Sequence, residues 1–208
     1  DGVKRTGVKD GDEMDGAFAY VLGGETTRSV PRPEFVRSAH ETIALLLDVY
    51  GFRLTACQKR APVLELRYQG VHVCLAPIVD LYGVKQDAAA SATVATQPPI
   101  IAELKLGTSA WSHRLVNPSS ACFKPPFDEI RDTWRNRAFM QLALQLYCFQ
   151  HASDATEAKM TPRCAILVAI GAPSGADGKR TRLKTQTLPA KFYKTFCRGM
   201  DRLVRGRN

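Results

Sequence analysis

"PIIAELKLG", residues 99–107, sets Glu103 and Lys105 two positions apart inside an otherwise apolar run. Side chains alternate between the faces of a strand, so this carboxylate and ammonium point the same way. Asp80 closes an earlier apolar run, "APIVD". If the two runs pair as neighbouring strands, Asp80 and Glu103 meet across roughly 5 Å of ladder. Two carboxylates that close repel each other unless a cation lies between them. Oxygen donors of this kind suit Mg2+ or Mn2+, which keep several waters and take further oxygens from a phosphate substrate. A lysine beside the ion can orient the attacking water and offset negative charge developing on phosphorus. The residue types therefore point to metal-assisted phosphodiester hydrolysis, with Asp80, Glu103 and Lys105 as the catalytic group. The plainer use of a Glu-x-Lys is an ion pair on the exposed face of a strand, so the surroundings must separate the two.

Those surroundings are a series of apolar runs cut by turn residues. "PRPEFVRSAHETIALLLDVYGF" reads as a helix, with Pro33 in its first turn and Gly51 at its stop. Its apolar positions recur at Val36, Ala39, Ile43, Leu46, Leu47 and Tyr50. Val63–Tyr68 and Val71–Leu75 read as a hairpin, the second strand or its continuation running to Asp80. Residues 86–98, of low complexity, form an inserted loop before the strand Ile100–Leu106. "PPFDEIRDTWRNRAFMQLALQLYCFQHA" reads as a second long helix, "RCAILVAIG" as a buried strand, and "TRLKTQTL" as a strand pairing back on it. The spacing predicts an α/β fold, a mixed central sheet flanked by helices. Residues 1–32 are expected to be an N-terminal extension in which "AFAYVLGG" makes an early strand. Residues 33–188 are the main domain, and 189–208 a basic C-terminal helix.

This array resembles the PD-(D/E)XK nuclease superfamily, and within it the RecB-type nucleases. The resemblance rests on Asp80, on Glu103-Leu104-Lys105 with Gly107 two places after the lysine, and on an order of helix, three strands, helix and strand over residues 33–171. It implies a restriction-endonuclease-like (αβββαβ) core and metal ligation by Asp80 and Glu103. It also implies a third ligand, His40, from the upstream helix. RecB-type enzymes carry a Gln-x-x-x-Tyr motif on the helix after the Glu-x-Lys strand. Here Gln141 fills the first place, and Gln145 stands where the tyrosine would be.

The chain has 29 Lys and Arg against 20 Asp and Glu, a formal net charge of +9. That excess favours a polyanionic partner, and with the catalytic group it points to nucleic acid, DNA ahead of RNA. Arg198, Arg202 and Arg205, in the basic C-terminal stretch, are the candidate phosphate contacts. No apolar stretch approaches the roughly 20 residues that span a bilayer, so no membrane is expected. Six cysteines are spread without a C-x-x-C pair, which reads as reduced thiols of an intracellular protein. The same spacing, with four isolated histidines, argues against a zinc cluster. The chain opens at Asp1, which reads as part of a larger protein or assembly. Two other readings use the same core: an RNA endonuclease of the cap-snatching type with a helix His ligand, and an inactive pseudonuclease serving as a nucleic-acid-binding scaffold.

Overall fold

A computed structural model describes residues 2–23, 30–68, 70–85, 99–107, 112–116, 121–151, 162, 164–171 and 182–204; the side chains of residues 2–9 and 68 are not part of that description. Among these residues the order is α1 (Gly2–Val21), α2 (Pro33–Tyr50), β1 (Phe52–Arg60), β2 (Leu64–Tyr68), β3 (Val71–Leu75) and β4 (Ile78–Lys85). Then follow β5 (Pro99–Leu106), α3 (Trp134–His151), β6 (Cys164–Ile170), β7 (Leu183–Thr187) and α4 (Ala190–Val204). The fold is α/β. A five-stranded mixed sheet runs β1-β4-β5-β6-β7, and β2 and β3 form a separate two-stranded ribbon. β1, β4 and β5 are antiparallel neighbours, β5 and β6 are parallel, and β7 returns antiparallel. The parallel step is allowed because α3 makes the crossover between β5 and β6. Among the described residues no helix is long and apolar enough to cross a membrane.

Alternation along the strands divides the apolar residues between two cores. Ile100, Ala102, Ile166 and Val168 pack beneath α1 and α2, with Met14, Phe18, Phe35 and Leu46. Ile101, Ala165, Leu167 and Ala169 pack beneath α3 and α4, and the ribbon closes that side with Leu64 and Leu66. β1 and β4 approach closely at Gly83, where a Cβ would lie 2.2 Å from the Arg53 carbonyl oxygen. Only glycine fits there without moving backbone.

Several expectations need correction. The early strand in "AFAYVLGG" is instead the last part of α1, because Met14, Ala17 and Phe18 recur at helical spacing and are fully buried. The expected C-terminal helix is α4, which buries Phe196 and Met200 against the core. Arg32 clamps the two N-terminal helices, its guanidinium donating to Glu13 Oε1 at 2.8 Å and Asp10 Oδ1 at 3.1 Å. The sheet starts with β1, "FRLTACQKR", whose polar, half-exposed pattern hides an edge strand. The hairpin 64–75 is therefore an insertion between β1 and β4, and Asp80 lies inside β4 rather than at a strand end. α3 begins only at Trp134, where the Thr133 hydroxyl accepts from the Asn136 N–H at 3.1 Å and caps the helix. Residues 86–98 lie outside the described residues.

Candidate active site

β4 and β5 pair from Val84↔Pro99 to Leu81↔Ala102 and no further. Continued by one step, the register sets Asp80 opposite Glu103. Here the ladder ends, β4 continuing along β1 and β5 along β6. At this fork the Leu104 N–H donates to Asp80 Oδ2 at 2.7 Å instead of to a backbone carbonyl. Asp80 thus closes the ladder with its side chain and stands beside Glu103.

Glu103 is buried, 4% exposed, and is held from two sides. Lys105 Nζ donates to its Oε1 at 2.5 Å, and Gln145 Nε2 donates to its Oε2 at 2.6 Å. The Gln145 amide also donates to the Ile78 carbonyl at 2.9 Å. Both neighbours are acceptors, which fixes the orientation of the amide. Gln145 Oε1 is left buried without a partner.

A third carboxylate comes from α1. Burial pushes Asp15 up to about 6, and the nearby charges of Asp12 and Glu103 add to this, while Lys105 and a hydrogen bond from Gln58 offset it. Burial likewise pushes Asp80 up to about 7, with Glu103 and then Asp15 contributing; the Leu104 N–H and Lys105 act in the opposite direction. Gln58 Nε2 lies 3.4 Å from Asp80 Oδ1. Its backbone sits at φ 50, a left-handed conformation that costs a non-glycine residue about 1 kcal/mol or more. The sequence reading missed Asp15. Its signal lay in "DEMDGAF", where an aspartate directly follows a buried Met14 on a helix.

The structure brings Asp80, Glu103 and Lys105 together and leaves the other candidates elsewhere. His40 is exposed on α2, on the far side of the helix from the buried Phe35, Ala39, Thr42 and Leu46, so it does not join the carboxylates. Gln141 is exposed, one turn before Gln145, and it is Gln145 that reaches Glu103. Gln141 instead lines a cleft of about 530 Å³ shared with Lys105, Trp134, Arg137 and Met140. Arg198 is paired with Glu129 at 2.7 Å, and Arg202 lies 3.2 Å from Glu129 and also donates to the Pro126 carbonyl. These two arginines fasten α4 to the segment before α3. Arg205 lies outside the described residues.

Asp80, Glu103 and Lys105 thus set two carboxylates and an ammonium at one fork, while the ligating atoms of Asp15, Asp80 and Glu103 do not all lie within 4.8 Å of one another. Burial is the main cause that lifts both Asp80 and Asp15, with Glu103 next for Asp80 and Asp12 next for Asp15; a cation beside Asp80 and Glu103 would offset part of that cost.

No protein-family model and no curated protein matches the chain. A solved structure described as "Crystal structure of SSO0001" is similar at 13% identity and a TM-score of 0.35, over 81% of this chain. The chain spans 57% of the length of that one.

Proposed function

We propose that this protein is a divalent-metal-dependent hydrolase of phosphodiester bonds in nucleic acid, with DNA as the first substrate to test. The observation that carries the reading is the meeting of Asp80 and Glu103 with Lys105 where β4 and β5 part. The order β1-β4-β5, crossover helix α3 and parallel β6 supports it, being the order expected of a restriction-endonuclease-like core. The formal net charge of +9 supports a polyanionic substrate.

Asp80 and Glu103 would hold Mg2+ or Mn2+, with waters and substrate phosphate oxygens completing the shell. When bound, the ion supplies a lowered pKa for a coordinated water and charge stabilisation at a phosphoryl oxygen. Gln145 keeps Glu103 turned toward the fork. Lys105 bridges Glu103 and the mouth of the cleft, where its ammonium can meet negative charge developing on phosphorus. Trp134, 47% exposed at the cleft, offers a stacking face for a base. The exposed position of His40 weighs equally against the histidine ligand that the RecB-type and the cap-snatching resemblances both imply, so cleavage of DNA against RNA is what separates the two. The inactive-scaffold alternative makes Lys105 dispensable.

Calorimetric titration of Mn2+ into wild type and Glu103→Ala, with a short DNA duplex present, tests the metal site. Cleavage assays on DNA and RNA with Lys105→Ala test the chemistry. Binding that vanishes in Glu103→Ala is expected, together with a cleavage loss of about 10²–10³-fold in Lys105→Ala. Cleavage by Lys105→Ala at the wild-type rate would end the catalytic reading.

A further inference from the structure

The β2–β3 ribbon carries a second constellation, on a different sheet from Asp80 and Glu103. Its register pairs Glu65 with Cys74 and Arg67 with His72. Leu64, Leu66, Val73 and Leu75 face the core, so alternation turns Glu65, His72 and Cys74 outward together. His72 sits between the other two. Its Nε2 is 3.5 Å from Glu65 Oε2, and its Nδ1 is 4.0 Å from Cys74 Sγ. One ligating atom from each of the three lies within 4.8 Å of the other two, and all three residues are exposed.

We propose that this ribbon face binds a thiophilic divalent cation, Zn2+ or a congener, through Glu65, His72 and Cys74. Thiolate, imidazole and carboxylate together form a borderline-soft set, unlike the all-oxygen set at the fork. Zinc–ligand bonds of roughly 2.0–2.3 Å at tetrahedral angles set ligand atoms about 3.3–3.7 Å apart. The existing spacings reach that range by rotation of side chains that nothing buries. Three protein ligands leave one coordination position open to water or to a group from a partner, and they tie both strands of the ribbon to one ion. Arg67, on the same outward face opposite His72, places a positive charge beside the site and tempers its affinity.

Co2+ titrated into the full chain, held reduced by a phosphine, tests the site by absorption. Wild type is expected to develop a thiolate-to-cobalt charge-transfer band and tetrahedral d–d bands that saturate at one ion per chain, displaced by Zn2+, whatever Co2+ the oxygen donors at the fork also take up. Cys74→Ser is expected to lose the charge-transfer band. His72→Ala is expected to weaken binding by more than the roughly 10–100-fold that loss of an outer-shell partner costs. Arg67→Gln is expected to tighten binding at the ribbon. No charge-transfer band in wild type, or a band that survives in Cys74→Ser, would overturn the proposal. So would a loss in Arg67→Gln equal to that in His72→Ala.

Discussion

Asp80→Asn tests whether the carboxylates at the fork strain the metal-free protein. Burial and the neighbouring Glu103 and Asp15 lift Asp80 to about 7, against an ordinary value of 3.8. A group whose value is raised by folding contributes stability that is fully present below its unfolded value and is lost as pH rises through its folded value. For Asp80 that window runs from about pH 4 to about pH 7. At about 1.36 kcal/mol per pKa step, the ionised carboxylate costs the folded state at most roughly 4 kcal/mol above about pH 8. Asparagine keeps an oxygen for the Leu104 N–H but turns an amide N–H₂ toward Gln58, a mismatch of about 1 kcal/mol. Partial solvent access trims the gain further, leaving roughly 1–3 kcal/mol in favour of the variant. In a chain of this length that is a rise in Tm of roughly 2–12 °C at about pH 8.5, shrinking as pH falls toward about 4. Mn2+ is expected to reverse the order, because wild type gains about 2.7 kcal/mol at one hundred times Kd and the variant loses a ligand. Thermal denaturation across pH, with and without Mn2+, reads both effects. A variant equally destabilised at low and high pH, or equally stabilised by Mn2+, would refute the crowding argument and the ligand assignment together.

Gln145→Leu is expected to cost about 1.5–3 kcal/mol in urea denaturation, because Glu103 Oε2 loses a charge-assisted partner within a buried site. A change under about 0.5 kcal/mol would mean that Gln145 does not hold the carboxylate. Phe18→Ala, at a fully buried position of α1, is expected to cost about 3–5 kcal/mol in the same cooperative transition. An unchanged midpoint would return α1 to the status of an appendage. Arg198→Ala breaks an exposed pair with Glu129 and is expected to shift stability by under about 1 kcal/mol, with little change in the salt dependence of DNA binding. A marked fall in that salt dependence would restore this helix as a phosphate contact.

The elements legible in the sequence were those whose pattern is set by burial on one face. α2, β5, β6 and α4 all have apolar residues at the period of their own geometry and stop signals at their ends. β1 was not, because an edge strand buries little and its Lys59 and Arg60 read as loop. α1 was hidden by glycines that dilute its first turns. On α2 the buried face is turned toward Ser38 and Thr42, which a hydropathy reading assigns to solvent. The Thr42 hydroxyl donates to the Ser38 carbonyl at 2.7 Å, so its burial leaves no donor unsatisfied, and His40 is rotated out as a result.

The site divides along the same line. Asp80 and Glu103 could be matched because strand pairing is nearly a one-dimensional rule, and a single register sets them opposite each other. Asp15 could not be related to them, because it stands on a helix packed on the other face of the sheet and no local period records that helix. Gln145 looked like a departure from a motif when read alone, yet one turn of α3 is enough to exchange its place with that of Gln141. The Glu65, His72 and Cys74 group shows the limit of spacing rules most plainly. Six residues lie between Glu65 and His72, an interval that no common zinc motif uses, and a β-hairpin cancels it by folding the two strands onto each other. Ligand sets built across a ladder are therefore found by register and not by sequence interval. The same reasoning that located Asp80 against Glu103 applies to the ribbon without alteration.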